Sequence, residues 1–192
     1  MISFTEAANG LLALALVEPE ECRSIVDHIE TVDGWGDATV RAQGSDDMYD
    51  SVAPHVRSAS VVPLVRSPEI LHQFEEKMAK LIKPLIAQFW GVDLEEHSGL
   101  QIVRYKPGGR YQTHQDAAMD FEDRYFTVIC YLNDDFEGGC TQFPNLNHTV
   151  VPESGKAIVF PAKYFHCAEP VVRGEKYVLV GWVLGPAPIK WI

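Results

Sequence analysis

The sequence has 192 residues, of which 46% are hydrophobic and 22% charged, which is typical of a folded globular protein and excludes a disordered or fibrous one. That length fits a single domain with a proper core. Sixteen Lys and Arg against 27 Asp and Glu give a formal net charge of -11, which disfavours nucleic acid as a partner and favours a cationic substrate only weakly.

The first predicted element is the apolar run "GLLALALV" at residues 10–17, which we interpret as a buried strand. No basic residue precedes it and no small-residue cleavage site follows it, so we do not expect a signal peptide. No other run approaches the length of a transmembrane span, and we predict no membrane association. The four cysteines lack CxxC spacing, which predicts free thiols in a reducing compartment and a cytoplasmic protein.

Two amphipathic helices are predicted next. "EPEECRSIVDHIETV" has Pro19 in its first turn and apolar residues at helical spacing. "SPEILHQFEEKMAKLI" has Ser67 as its expected N-cap, and Pro84 should kink or split this helix before Gly91. Between the helices lies a long Gly-, Asp- and Ser-rich stretch that we interpret as a loop or an irregular hairpin.

From residue 98 onward the sequence consists of short β-rich runs separated by Pro, Gly, Asn and Asp, which predicts antiparallel strands. Helices first and strands afterwards favour an α+β fold, in which helices buttress one face of a β-sandwich or jelly roll. We expect one domain over residues 1–192, with helical support in 1–97 and the strand core in 98–185.

Candidate metal ligands appear in "YQTHQD", where His114 and Asp116 are two positions apart. Alternate residues of a strand share a face, so both side chains can reach one point. His166, in "YFHCAEPV", can return to that point from a later strand. Two histidines and one carboxylate are the ligand set of non-haem Fe(II) oxygenases, although zinc accepts the same ligands. His148 is the rival for the third ligand.

Lys176 begins the strand run "KYVLVGWVL", whose alternation points some side chains inward. A buried lysine needs an anionic partner or loses its charge, and a small dicarboxylate would be such a partner. The alternative is a surface lysine at the start of a strand.

These residues together resemble the prolyl-4-hydroxylase-like branch of the Fe(II)- and 2-oxoglutarate-dependent dioxygenases. The matching features are the HxD pair, the run "YLNDDFEGGCTQFP", and the distal histidine followed by a proline and G-x-K. The resemblance implies a double-stranded β-helix of jelly-roll or cupin-like form. It also implies Fe(II), 2-oxoglutarate and O2 as cofactor and cosubstrates, with ascorbate as an auxiliary. The implied site residues are the iron ligands His114, Asp116 and His166, and the 2-oxoglutarate residues Lys176, Tyr105, Thr141, Tyr131 and Trp182.

The implied reaction is hydroxylation of an unactivated C–H bond, either in a prolyl residue of a peptide or protein or in a free amino acid or small metabolite. Arg124 matches a family position that faces the substrate; alternatively it is a surface arginine that pairs with Asp120, Glu122 or Asp123. Residues 41–60 form a candidate lid that contains Asp46, Asp47, Tyr49, Asp50 and Arg57, and we take Tyr49 and Arg57, with Arg124, as candidate substrate residues. The alternatives to an oxygenase are an inactive β-helix binding module and a zinc hydrolase. The oligomeric state is not predicted.

Overall fold

The computed structural model describes residues 2–43, 48–118 and 121–186. The described helices are α1 (Pro19–Glu30), α2 (Pro68–Lys77) and α3 (Lys83–Trp90). The described strands are β1 (Thr5–Ala8), β2 (Leu11–Ala15), β3 (Gly36–Asp37), β4 (Val40–Gln43), β5 (Met48–Ser51), β6 (Arg57–Ser58), β7 (Ser60–Pro63), β8 (Glu96–Tyr105), β9 (Arg110–His114), β10 (Arg124–Tyr131), β11 (Glu137–Gly138), β12 (Thr141–Phe143), β13 (His148–Val150), β14 (Lys156–Pro161), β15 (His166–Ala168), β16 (Val171–Arg173) and β17 (Lys176–Leu184). None of the described helices has the length and hydropathy needed to span a lipid bilayer.

Two antiparallel sheets make up most of the fold. The larger has eight described strands in the order β1-β2-β14-β10-β17-β8-β7-β3, and the smaller has five in the order β13-β12-β15-β9-β6. The chain crosses repeatedly between them, since β8, β10, β14 and β17 lie in the larger sheet and β9, β12 and β15 in the smaller. This is the double-stranded β-helix, and the predicted α+β class with helical support is confirmed.

The period-two alternation of β2 explains how the larger sheet separates two apolar layers. Leu12 and Leu14 pack in the cluster that also contains Ile25 and Ile29 of α1, whereas Leu11 and Ala13 pack in the cluster between the sheets. A strand that is buried on both faces reads as a continuous apolar run, which is why "GLLALALV" carries no polar alternation. The helices therefore cover one face of the larger sheet, and the smaller sheet covers the other.

The helices α1 and α2 each begin at a proline, as predicted, but the expected side-chain cap of α2 is absent. α1 begins at Pro19, has Glu20 and Glu21 in its first turn, and buries Cys22 and Ile25. α2 begins at Pro68, but Ser67 makes no side-chain cap, and its hydroxyl is buried without a hydrogen-bond partner in the described structure. Ser67 therefore occupies the N-cap position as expected, but its side chain does not cap the helix.

Pro84 splits the second helix as expected. A π-helical turn at Met78–Ile82 joins α2 to α3, which ends at Gly91 in the left-handed conformation with φ of 70°. Because Pro84 has no N–H, the preceding turn cannot complete the regular i to i-4 ladder, and it adopts a wider turn.

The N-terminal half contributes more strands to the two sheets than we expected from its predicted role as helical support. β1, β2, β3 and β7 all belong to the larger sheet, and β6 extends the smaller one. The Gly-, Asp- and Ser-rich stretch is the predicted irregular hairpin, in which β4 pairs with β5. Two acidic residues of the candidate lid, Asp46 and Asp47, lie outside the described residues.

Candidate functional site

The three candidate metal ligands meet at one end of the smaller sheet. Strand β15 pairs with β9 so that His166 stands opposite His114, and Asp116 follows β9 with its N–H bonded to the Ala162 carbonyl at 2.9 Å. The His114 Nε2 atom lies 3.5 Å from Asp116 Oδ1, and the His166 Nε2 atom lies 3.6 Å from Asp116 Oδ2. The three ligand atoms lie within 4.8 Å of one another.

The backbone orients both imidazoles in the same way. His114 Nδ1 lies 2.8 Å from the Gln112 carbonyl oxygen, and His166 Nδ1 lies 3.0 Å from the Tyr164 carbonyl oxygen. A carbonyl only accepts a hydrogen bond, so in a neutral imidazole each Nδ1 carries the proton and donates it. Each Nε2 is then left with a free lone pair directed towards the Asp116 carboxylate, as a metal ligand requires.

The charge state of the cluster also suits a divalent metal. Burial lowers the pKa of His166 to about 4, so this imidazole is neutral near pH 7. Burial alone would raise the pKa of Asp116, but the adjacent imidazoles and the Thr127 hydroxyl outweigh it, and the pKa falls below its ordinary value. Two imidazole nitrogens and one carboxylate form a donor set for Fe(II) and also for Zn(II), so the residues present fit such a metal.

Lys176 is a buried cation close to the three-ligand cluster. Its side chain is 2% exposed, and its Nζ donates to the Gly139 carbonyl at 2.6 Å and lies 5.4 Å from the ring centres of Tyr105 and Tyr131. It makes no ion pair with a carboxylate of the described residues. Burial lowers the pKa of this amine to about 8. A buried ammonium with one carbonyl acceptor fits an incoming carboxylate.

A cavity of about 880 Å³ joins Lys176 to the cluster. Tyr105, Thr141 and Trp182 line it as the sequence predicts, and so do the predicted substrate residues Arg57 and Arg124. Other predicted residues lie elsewhere: Tyr131 is 0% exposed and donates its hydroxyl to Thr141 at 2.8 Å, while Tyr49 is 51% exposed, and neither lines the cavity. His148, on β13, is also absent from the lining, which leaves His166 as the third member of the cluster.

Arg124 is a half-buried residue of the cavity lining, in contrast to the alternative of a surface arginine. Its guanidinium carbon lies 3.6 Å from the Trp182 ring centre and 3.8 Å from that of Phe121. It makes no ion pair with Glu122 or Asp123, and Asp120 lies outside the described residues. Burial lowers the pKa of this guanidinium, and the Asp116 and Asp123 charges partly oppose that shift.

Three further residues line the cavity but were not predicted from the sequence. The Tyr111 ring stacks on His114 with 3.6 Å between ring centres, Phe121 covers Arg124, and Arg41 on the lid hairpin pairs with Asp50 at 3.4 Å. Tyr111 begins the quoted "YQTHQD" and Phe121 lies three residues before Arg124, so proximity in sequence was the available signal. Their orientation depends on contacts between distant segments.

Comparison with known proteins shows which family this arrangement is similar to. The profile of the 2OG-Fe(II) oxygenase superfamily matches residues 100–184, which include the cluster and Lys176. A protein of Acanthamoeba polyphaga mimivirus, described provisionally as a prolyl 4-hydroxylase, is 32% identical over 126 residues, which are 53% of this chain. The chain spans about half the length of that relative, 52% of which is covered.

Solved structures share the fold. A Pseudomonas putida prolyl-4-hydroxylase matches with a TM-score of 0.68 at 19% identity, covering 91% of this chain and 92% of that one. A Trichoplax adhaerens prolyl hydroxylase, solved with a peptide fragment of the hypoxia inducible factor oxygen degradation domain, matches with a TM-score of 0.69 at 16% identity, covering 92% of this chain and 84% of that one. The chain therefore matches the 2OG-Fe(II) oxygenase superfamily over residues 100–184, and it is similar to prolyl 4-hydroxylases in part of its sequence and in its fold.

Proposed function

We propose that this chain is an Fe(II)- and 2-oxoglutarate-dependent dioxygenase that hydroxylates an unactivated C–H bond. The observation that carries the proposal is the occurrence, in one cavity, of a His–Asp–His cluster and a buried lysine without a carboxylate partner among the described residues. An inactive binding module would have no use for three converging ligands, and a zinc hydrolase would have none for the lysine.

Each site residue has a distinct part in this proposal. His114, Asp116 and His166 would hold Fe(II), which with 2-oxoglutarate and O2 supplies the oxidation of the C–H bond while 2-oxoglutarate becomes succinate and CO2. Lys176 pairs with the distal carboxylate of 2-oxoglutarate, in a pocket bounded by Tyr105, Thr141 and Trp182. Tyr131 acts indirectly, since its hydroxyl fixes the position of the Thr141 oxygen.

The substrate side of the cavity is assigned to Arg57 and Arg124, whereas Tyr49 would reach it only if the lid hairpin moved. The proposed substrate is a prolyl residue of a peptide or protein, or a free amino acid or small metabolite; the peptide bound to the Trichoplax neighbour supports the first. Ascorbate is proposed as an auxiliary reductant. We also propose a cytoplasmic protein with one dioxygenase domain over residues 1–192, which the four free cysteines support.

The test is succinate release by protein that is loaded anaerobically with Fe(II) and then given 2-oxoglutarate and O2. Asp116→Ala should abolish both metal binding and succinate release, whereas Asp93→Ala, at an exposed position, should change neither. Binding of 2-oxoglutarate without succinate release in any condition would indicate a binding module. Hydrolysis by the Zn(II)-loaded protein, with no 2-oxoglutarate consumed, would indicate a hydrolase.

A further inference from the structure

The cavity carries an excess of positive charge, in a chain whose formal net charge is -11. Among its described lining residues, with histidines counted as neutral, two carboxylates oppose four cations: Asp50 and Asp116 against Arg41, Arg57, Arg124 and Lys176. A divalent metal and the dianion 2-oxoglutarate would cancel each other, so two positive charges remain in excess when both are bound. Such a field favours an anionic third ligand.

The excess positive charge of the cavity lies on Arg57 and Arg124, because the other charged lining residues have partners. Arg41 pairs with Asp50, Asp116 belongs to the metal cluster, and Lys176 is assigned to 2-oxoglutarate. Neither Arg57 nor Arg124 makes an ion pair with a carboxylate in the described part of the chain. Two guanidinium groups that line one cavity repel each other, and an anion bound by both would relieve that repulsion.

Arg124 is held in an orientation that suits a planar anion. Trp182 and Phe121 cover its two faces, so the N–H groups at its edge are the part left for a ligand. One of them is already close to the metal cluster, since Nη1 lies 3.5 Å from the Asp116 carbonyl oxygen. A guanidinium fixed by stacking on aromatic rings loses little freedom on pairing with a carboxylate, which it can bind through two hydrogen bonds.

Arg57 lines the same cavity as Arg124. It packs over Tyr111, with 4.7 Å from guanidinium carbon to ring centre, and Tyr111 in turn stacks on His114. Its Nη1 donates to the Thr39 carbonyl at 3.1 Å, but its Nε is buried and has no hydrogen-bond partner in the described structure.

Another donor in the wall also lacks a partner. Trp182 is 7% exposed, lines the cavity, and has an indole Nε1 without an acceptor among the described residues. A peptide carbonyl could accept from one such donor, but it would leave the excess charge in place. A carboxylate supplies acceptors and charge together, so the free acid is the better match.

We propose that Arg57 and Arg124 form a second anion subsite, separate from that of Lys176, which binds a free carboxylate of the substrate. The substrate is then a small molecule that carries its own carboxylate, such as a free amino acid, and not an internal residue of a peptide. This inference rests on the proposed function and selects between its two substrate classes. It also replaces the weak expectation of a cationic substrate that the overall charge suggested.

The first experiment compares molecules that differ only in the carboxylate. Succinate release is measured with L-proline and a panel of other free amino acids, each against its own primary amide, and with an acetylated and amidated peptide that contains an internal proline. At least one acid should stimulate release about tenfold more than its amide. Equal stimulation by acid and amide, or stimulation by the peptide alone, would overturn the inference.

A binding measurement covers the case in which no acid stimulates turnover. The Tm of protein loaded with Mn(II) and 2-oxoglutarate is recorded with each acid and each amide. If no acid raises the Tm more than its amide does, the subsite is absent and the inference is wrong. Failure of the metal-loaded protein to bind 2-oxoglutarate at all would instead count against the proposed function.

Substitutions then locate the subsite. Arg57→Gln and Arg124→Gln should each raise the KM of the stimulating acid by about tenfold or more relative to that of its amide, because each removes half of the counter-charge. Arg173→Gln is the matched control, since Arg173 is exposed and pairs with Glu137 outside the cavity. If the arginine variants weaken 2-oxoglutarate binding as much as they raise the KM, the arginines serve the cosubstrate, and the substrate subsite is disproved.

Discussion

Thr127 donates its hydroxyl proton to Oδ2 of Asp116 at 2.7 Å, from a position that is 0% exposed in the middle of the larger sheet. The hydrogen bond ties the candidate metal ligand to a strand other than the one from which it extends. It also stabilises the ionised carboxylate and contributes to the lowered pKa of Asp116.

Thr127→Val should weaken metal binding by about tenfold to a hundredfold, because it removes this hydrogen bond while preserving the shape of the side chain. Anaerobic titration with Fe(II) measures the change in Kd. Thr149→Val is the control, since Thr149 is an exposed residue of β13, and it should leave the Kd unaltered. Equal Kd values for the Thr127 variant and the unmodified protein would mean that this hydrogen bond does not orient the ligand.

Lys176→Met should make the metal-free protein more stable and at the same time unable to hold 2-oxoglutarate. Burial lowers the folded-state pKa of this amine to about 8, below its ordinary value of 10.5, so the buried charge destabilises the fold below pH 8. Methionine removes that charge, and we expect a gain of about 1–2 kcal/mol in the free energy of unfolding near pH 7. The gain should shrink between pH 8 and 10.5, where the folded-state amine is already losing its proton.

Thermal unfolding with and without 2-oxoglutarate tests both halves of this prediction. The unmodified, metal-loaded protein should show a rise in Tm on adding 2-oxoglutarate, and the Lys176→Met variant should show none while keeping its Fe(II) affinity. Lys163→Met, at an exposed position, serves as the control for removal of a positive charge. A variant that still responds to 2-oxoglutarate would exclude Lys176 as its carboxylate partner.

The affinity for 2-oxoglutarate should fall as the pH rises, because it depends on the protonated amine of Lys176. The amine binds a carboxylate only when protonated, so the Kd should be flat below pH 8 and rise towards tenfold per pH unit above it. Titrations of the Mn(II)-loaded protein between pH 6.5 and pH 9.5, about the range in which such an amine changes charge, would measure this. Lys176→Arg should flatten the profile, because a guanidinium stays protonated there. A flat profile in the unmodified protein would contradict the prediction.

Gly99→Ala should disturb the aromatic wall of the cavity. A Cβ at this position would lie 2.1 Å from Cζ3 of Trp182, and the backbone has a φ of 70°, which favours glycine. The indole would have to leave its place against Arg124, and we expect a loss of about 2–3 kcal/mol in the free energy of unfolding. Denaturant titration measures the loss, and Gly36→Ala, where a Cβ meets nothing within 4 Å, is the control that should change little.

The convergence of His114, Asp116 and His166 was predictable because it depends on local spacing in the sequence. His114 and Asp116 are two residues apart at the end of a strand, so one face presents both. The choice of His166 over His148 came from the family resemblance, which includes the G-x-K that follows the distal histidine. Lys176 was predictable for a similar reason, since it begins a strand whose alternation fixes its direction. For such residues the local backbone period determines where the side chain points.

The cavity wall was less predictable because it depends on contacts between distant segments. The stack of Phe121 and Trp182 around Arg124 joins a loop, the end of β17 and the start of β10, and no spacing rule relates their positions. The same holds for Tyr49, which alternation on β5 turns outward while its neighbour Asp50 lines the cavity. The position of the N-cap at Ser67 was predictable from residue type, but the missing side-chain hydrogen bond was not, since the backbone torsion angles there, φ -134° and ψ 76°, were not foreseeable.

The register of β9 against β15 has a consequence for folding as well as for chemistry. His114 and His166 are directly opposite each other, although a long stretch of chain containing β10 to β14 separates them. All four cysteines are free, so no covalent bond closes that loop. A metal held by both histidines would act as a crosslink, restricting the unfolded chain as a disulfide does. Since a slip of one residue would turn one imidazole to the opposite face, metal loading would also select the correctly paired strands.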